Sequence, residues 1–446
     1  MLFGRVLKRN LFSLRAGLLQ VPRTTTSPIL QDQVVDEEAC PGYKSKSYYP
    51  ARPGQVVANY QVLVKIGWGT RSTVWLARDI RRFKWQPERY VALKINNCSS
   101  RQANHERDIE DHIFKTNPSH RGHVIIRTCL ESFEVAGPEG WHLCLAYEPM
   151  REPLWLYQGR FPDQKLPIAI AKAYISMLLT GLDYLHSDCK VAHTGKCLNI
   201  YSIQEYSAHP YADLKLENIL VGFEDKAVVK DFVIAQSSQH MEHKTDSAGR
   251  TVYRCHNNFG PLKKLMNLPK IVDFGLARQL VGPNYIETHP IQPDHYRAPE
   301  VILGCGWSFS ADIWNLGLLV WDIFERKELF SQVRDHRGHY DAKAHMAEMI
   351  ALLGPPPKAL ITRYNSMHGI RWPDPIRDEE GEFLYTDLIP KRRLEDTLPS
   401  LESKERELLL SFVSKMVCWL PEDRSTAREL IEHPFLKFQS RAEPAP

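Results

Sequence analysis

The sequence predicts an α+β protein, with a small antiparallel sheet carrying one helix ahead of a larger, mainly helical part. Three observations carry this. From Tyr60, "YQVLVKIGWGTRSTVWLARD" alternates β-branched and polar residues about a glycine turn, as a strand hairpin does. "YVALKI" (90–95) and "HLCLAYEPM" (142–150) are further apolar strands, with the helical stretch "ANHERDIEDHIF" between them. Later, "IAIAKAYISMLLTGLDYLHSDC" and "WSFSADIWNLGLLVWDIF" repeat apolar residues at helical spacing.

The chain has 446 residues, enough for one large or two modest domains. With 43% hydrophobic and 25% charged residues it can bury an ordinary core. A net charge of +4 is small for this length, so no direct contact with nucleic acid is expected. Nine cysteines lack paired metal spacing, which suits free thiols in a reducing compartment. No apolar run reads as a membrane span; the best, "LGLLVWDIF", falls short. The N-terminus differs from the rest. Arg5, Lys8, Arg9, Arg15 and Arg23 precede the first acid, Asp32, while Phe3, Leu7, Leu11, Leu14 and Leu18 share one helical face. That is the composition of a mitochondrial transit peptide, or of a disordered basic tail. Residues 1–45 are therefore expected outside the fold.

The elements carry chemistry in order. Gly67 and Gly69, with Ser72 beyond them, leave backbone amides bare for phosphates, although a plain hairpin turn reads the same. Lys94 stands alone among apolar strand residues and needs an anionic partner. Glu106 is the first choice for that partner and Glu110 the second. The strand ending in Glu148 reads as a hinge, with Tyr147 limiting the space behind it. The helix from Ile168 supports the loop at its C-terminal end. In "DLKLENIL", Asp213, Lys215 and Asn218 offer one loop a proton acceptor, a cation and a metal ligand, the set phosphoryl transfer needs. Two Asp-Phe sites compete to supply a second metal ligand, Asp231 and Asp273. Asp273 is preferred because Gly275 permits a backbone twist that Val233 resists. The polar segment between them reads as a loop insertion. Glu300 in "YRAPE", Asp312 and Arg424 come later in the chain; Glu300 is expected to pair with Arg424, and Asp312 to brace the loop backbone.

Over residues 60–436 this pattern resembles the eukaryotic protein kinase family. "YRAPE" with "LLGPPP" resembles the group of cyclin-dependent, MAP and SR-protein kinases. "IGWGTRSTVWLARD" with "HT…DLKLENIL" is most similar to its SR-protein-kinase-like branch, fungal type. The resemblance implies a bilobal fold, with lobes at about 60–148 and 149–436, a tail at 437–446, and ATP between the lobes. It implies a serine/threonine kinase using ATP and Mg²⁺ on protein substrates, Arg-Ser-rich ones by branch, acting as a monomer in cytoplasm or nucleus. ATP would meet Ile66, Gly67, Trp68, Gly69, Val74, Ala92, Lys94, Glu106, Tyr147, Glu148 and Met150. Asp213 would be the base, Lys215 would steady the transferred group, and Asn218 and Asp273 would hold the metal. His193, Glu300, Asp312 and Arg424 would be structural. The acidic run "DPIRDEEGEF" (374–383) would attract basic substrates or simply stay solvated.

One departure stands out. The family expects His-Thr-Asp, yet residues 195–212 separate Thr194 from Asp213. A long insert there would unfix the base, since catalytic geometry tolerates errors of only about an ångström. The codons for "GK" can hold a splice donor and those for "AD" an acceptor. Excision from that donor through that acceptor joins the first base of the Gly195 codon to the last two of the Asp213 codon, which again encodes aspartate and restores "VAHTDLKLENIL". The insert thus reads as a retained intron; a genuine insert would make the chain a catalytically impaired scaffold.

Overall fold

Six strands build one antiparallel sheet in the computed structural model. The model describes residues 17–20, 29–40, 42–98, 100–193, 214–265, 267–282, 286–366 and 382–437. The strands are β1 (Val56–Val57), β2 (Tyr60–Gly69), β3 (Ser72–Asp79), β4 (Tyr90–Asn96), β5 (Glu131–Gly137) and β6 (Gly140–Tyr147), in the order β1-β2-β3-β4-β6-β5. Side chains alternate across a strand, so β4 splits its residues between two cores. Val91, Leu93 and Ile95 join Val62, Trp75, Ala77, Cys144 and Ala146 on one face. Ala92 joins Ala103, Leu143, Leu145 and Tyr147 on the other.

The sheet belongs to the first of two compact units, formed by Met1–Asp108, Arg127–Glu152 and Val221–Leu268. Two of its components correct the sequence reading. Residues 1–45 are expected outside the fold, but the chain is packed from Ile29 onward. Ile29 and Val35 bury against Val252. A 3₁₀ turn, Asp36–Ala39, delivers two acids to Lys65 of β2, which is almost wholly buried. Asp36 Oδ2 lies 2.9 Å from Lys65 Nζ, Glu37 also bonds it, and Arg250 reaches Glu37 at 2.8 Å. The physical cause is a buried lysine that must be neutralised by acids far away in sequence.

The second correction concerns the segment read as a polar loop in the larger lobe. It begins in the last turn of the helix Lys226–Gln236, whose Asp225 side chain caps the Ala227 amide at 2.8 Å, and it holds a hairpin pairing His243–Thr245 with Thr251–Tyr253. Helical Val228, Val229, Phe232 and Val233 pack on Leu63, Val64 and Leu76 of the sheet. That apolar face, and not the polar remainder, decides where the segment sits.

The second unit comprises Ile109–Ile126, Pro153–Leu220 and Pro269–Pro446. Residues 109–126 are expected in the smaller lobe; close packing of Gly122 places them here. A Cβ on Gly122 would fall 2.1 Å from the Thr180 carbonyl. The expectation about membrane spans also needs amending, because Pro162–Cys189 is long and apolar enough to cross one by length and composition. Its Ile175, Leu178, Leu179 and Leu182 are fully buried inside this unit, as in the core helix of a globular protein. The helix Ser310–Phe324 is buried along nearly its whole length.

Arg424 and Glu300 form a two-pronged ion pair at 2.7 and 2.6 Å, with both side chains out of water. Removing one partner of such a pair strands a buried charge. Arg424→Ala is expected to cost about 3–5 kcal/mol, read as a lower midpoint in urea unfolding. Gly122→Ala is expected to destabilise the same unit, because the opposing Thr180 atom is main chain and cannot swing away.

Candidate active site

In the first unit, β2 and β3 are joined by Thr70 and Arg71, with Gly69 opposite Ser72 and Gly67 opposite Val74. The hairpin itself does not require either glycine. Neither has a positive φ, and added Cβ atoms would meet only ordinary contacts at 3.5 Å, to Val74 and Ser72. What glycine adds is bare backbone, the cradle a phosphate group can approach. Trp68 between them is 43% exposed. From behind, the Tyr48 hydroxyl donates to the Thr70 carbonyl at 2.7 Å and ties the turn to the N-terminal segment. Sequence reasoning missed Tyr48, because no motif marks the residues just ahead of the first long strand.

Lys94 lies on β4 opposite Val74 of β3 and Leu145 of β6. Its ammonium donates to both carboxylate oxygens of Glu106, at 2.6 and 2.7 Å. Glu106 is buried, and the Tyr147 hydroxyl donates to its Oε1 at 3.3 Å. Ile66, Val74, Ala92 and Tyr147 share one apolar cluster. Arg127 stacks on the Tyr147 ring at 4.4 Å, a partner the sequence did not reveal. Beyond β6, Glu148 is exposed and Met150 buried. An apolar wall, a bare glycine hairpin and a carboxylate-held cation suit a purine bearing phosphates. Glu110 is buried as well, but Glu106 is the residue paired with Lys94.

In the second unit, Asn218 ends a 3₁₀ turn, Leu216–Asn218, and its main-chain carbonyl accepts the Val272 amide at 3.0 Å. That bond sets Asn218 beside the residue preceding Asp273. Asp273 has φ 67°, a left-handed conformation uncommon outside glycine, and its Oδ1 accepts the Gly275 amide at 3.4 Å. The left-handed residue of this turn is therefore Asp273 and not Gly275, which corrects the reason given for preferring this motif. Asp231 lies exposed on a helix, paired with Lys263 at 2.9 Å. An amide oxygen and a carboxylate at adjacent backbone positions are donors suited to a hard dication such as Mg²⁺.

Behind them, His193 is fully buried. Burial holds its imidazole below the usual histidine value, so the ring is neutral. Its Nε2 donates to the Val272 carbonyl at 3.0 Å, and its ring meets Phe274 edge-on at 5.0 Å. Asp312 Oδ2 accepts both the His193 amide at 2.9 Å and His186 Nε2 at 2.8 Å. Lys215 precedes the 3₁₀ turn, its carbonyl accepting the Asn218 amide at 2.9 Å. Asp213, the insert and all of the acidic run except Glu382 and Phe383 lie outside the described residues.

A group of acids near this loop was not anticipated. Tyr296 donates to Asp322, which interacts with Glu217 and Glu328. Burial first, then repulsion from those two carboxylates, pushes Asp322 up to about 7. Burial also pushes the neighbouring His295 down to about 4, with Arg334 and Lys215 adding to the effect, and its Nε2 bonds Glu328 at 3.2 Å. These residues converge from three separate stretches, so no local motif marks them.

Comparison with known proteins places this geometry. The protein kinase domain model matches residues 262–436. The chain is 34% identical over 425 residues to a serine/threonine protein kinase of Aspergillus fumigatus, covering 94% of this chain and 95% of that protein. It is 30% identical over 432 residues to the serine/threonine-protein kinase SRPK of Physarum polycephalum, covering 90% and 91%. It is 31% identical over 192 residues to SRSF protein kinase 3 of Mus musculus, covering 42% and 30%. A crystal structure of a kinase domain superposes with a TM-score of 0.61 at 22% identity, over 88% of this chain and all of that one.

The Asp322 shift has a consequence for stability. A carboxyl raised from 3.8 to about 7 binds its proton more tightly folded than unfolded. Its contribution to stability is therefore lost as pH rises from about 4 to about 7, and stays lost above that. Asp322→Asn is expected to gain stability relative to the unaltered chain between about pH 5 and about pH 8, measured by urea unfolding at both.

Proposed function

Because this chain belongs to the SR-protein-kinase-like serine/threonine protein kinases, we propose that its two half-sites bind ATP and Mg²⁺ and act on Arg-Ser-rich protein segments. The observation that carries the reading is the Lys94 ammonium gripped by both oxygens of Glu106 beside a glycine hairpin that needs no glycine for its own fold. Glu106 holds Lys94 in place for the ATP phosphates. Ile66, Val74, Ala92 and Tyr147 wall the adenine, and the main chain of Glu148 and Met150 meets its edge. Trp68 and the two glycines cover the phosphates.

Asn218 and Asp273 would hold Mg²⁺, which when bound neutralises phosphate charge. The substrate hydroxyl attacks the γ-phosphorus, the bond to the bridging oxygen breaks, and ADP departs. Asp213 takes the hydroxyl proton, and Lys215 balances charge on the transferred group. Asp312 and His193 position this loop without touching substrate: one fixes the other's amide, and the histidine fixes the strand that leads into Asp273.

Support for basic substrates comes from the Glu217 and Glu328 side chains, grouped around Asp322 beside the loop that carries Lys215. Opposite charge favours arginine-rich segments. A cytoplasmic or nuclear location is proposed on family likeness. On either side of the insert, His193 and Leu214 are both fully buried, so the loop that the shortened chain would restore has packed flanks.

The test is ATP-dependent phosphorylation of an Arg-Ser peptide by the full chain and by a chain without residues 195–212. Transfer is expected from the shortened chain. Asp273→Ala and Lys94→Met should each reduce it by about 10²-fold or more, the scale on which lost electrostatic groups act. Absence of transfer from the shortened chain to every peptide tried would sink the catalytic assignment. Equal rates on Arg-Ser and Lys-free acidic peptides would sink the substrate class alone.

A further inference from the structure

The outer side of β2 and β3 holds a peptide. Gln61 and Arg78 face each other across these strands. Gln61 is 1% exposed, and its carboxamide bonds both main-chain groups of Leu19. The Leu19 amide donates to Oε1 at 2.9 Å, and Nε2 donates to the Leu19 carbonyl at 2.8 Å. Arg78 Nη1 donates to the Gly17 carbonyl at 2.7 Å, while its Nη2 pairs with Glu88 at 2.9 Å. The Leu19 side chain enters the cluster formed by Leu63, Val64, Leu76 and the helix Lys226–Gln236, and Leu18 is exposed.

This arrangement has the parts of a linear-peptide site. Main-chain bonds two residues apart read an extended backbone, and one pocket reads one side chain. Among the described residues the Gln61 side-chain amide bonds nothing else, so both its donor and its acceptor are given to the main chain of whatever segment lies in the slot. Beside Gly17 opens a cavity of about 280 Å³, lined also by Arg78, Arg82, Phe83, Lys84 and Glu88. Its cations outnumber its single acid. A Cβ on Gly17 would meet nothing within 4 Å, so the position admits a longer side chain. Among the described residues, Gly17 puts no side chain into that space, and no acid lies beside Arg82 and Lys84 except Glu88.

We propose that this slot docks a partner protein's extended segment of the form Asp/Glu-x-Leu, for which Gly17-Leu18-Leu19 is a weaker occupant supplied by the chain itself. The leucine takes the Leu19 pocket, and the acid takes the Gly17 position beside Arg82 and Lys84. The site is separate from the groups assigned to phosphoryl transfer and does not rest on them.

Fluorescence anisotropy of a labelled Glu-x-Leu peptide tests this on the full chain. Leu19→Asp should release the internal segment and tighten peptide binding about ten-fold, since a competitor held in the same molecule lowers apparent affinity by the fraction of sites it leaves free. A Gln-x-Leu peptide should bind several-fold more weakly. Adding Gln61→Leu should abolish binding while kinase activity on a generic peptide persists. If that variant does not fold, Arg82→Glu with Lys84→Glu, both on the protein surface, should reverse the preference between acidic and uncharged peptides. The proposal is overturned if Leu19→Asp binds the peptide no better than the unaltered chain. It is equally overturned if acidic and uncharged peptides bind the Leu19→Asp chain alike.

Discussion

A charge taken out of water has to be met by its opposite, and this constraint governs where the functional groups of this kinase can stand. Lys94 rises from an apolar strand, and the buried Glu106 carboxylate is what makes that position tenable. The pair then costs the sheet little and leaves an oriented cation on the face that Ile66, Val74, Ala92 and Tyr147 line. Tyr147 ties the two roles together, walling the apolar cluster with its ring and bonding Glu106 with its hydroxyl.

The second unit answers the same constraint with Asp312. A fully buried carboxylate collects the His193 amide and His186, and His193 in turn collects the Val272 carbonyl. Val272 bonds Asn218 through its amide. One chain of hydrogen bonds thus links the helix Ser310–Phe324 to Asn218 and to the residue that precedes Asp273. The left-handed backbone of Asp273 is a local strain that such over-determined surroundings can sustain. The Arg424–Glu300 pair meets the same constraint at the "APE" turn, where Arg424 also donates to the Ser310 carbonyl at the start of that helix.

A third charge, Lys65, explains how residues remote in sequence become part of the small sheet. Asp36 and Glu37 neutralise it, Arg250 balances Glu37, and Tyr48 from the same segment holds the glycine turn. The N-terminal segment and the residues before Asp273 are thereby scaffold for the hairpin and not appendages to it.

Much of this was legible in the sequence, where the signal is local. Strand alternation, Lys94 isolated among apolar residues, and the spacing of Asp213, Lys215 and Asn218 are short-range patterns, and each follows from backbone period or from one site's chemistry. The helix Lys226–Gln236 had a legible apolar face but no local sign of what it covers. Tertiary structure alone decided that residues 29–51 belong to the small sheet, that Glu217, Asp322 and Glu328 share a neighbourhood, and that Gly17 and Leu19 lie across Gln61 and Arg78. The reason is physical: local patterns report backbone geometry, whereas burial creates a need for partners and does not say where along the chain they will come from.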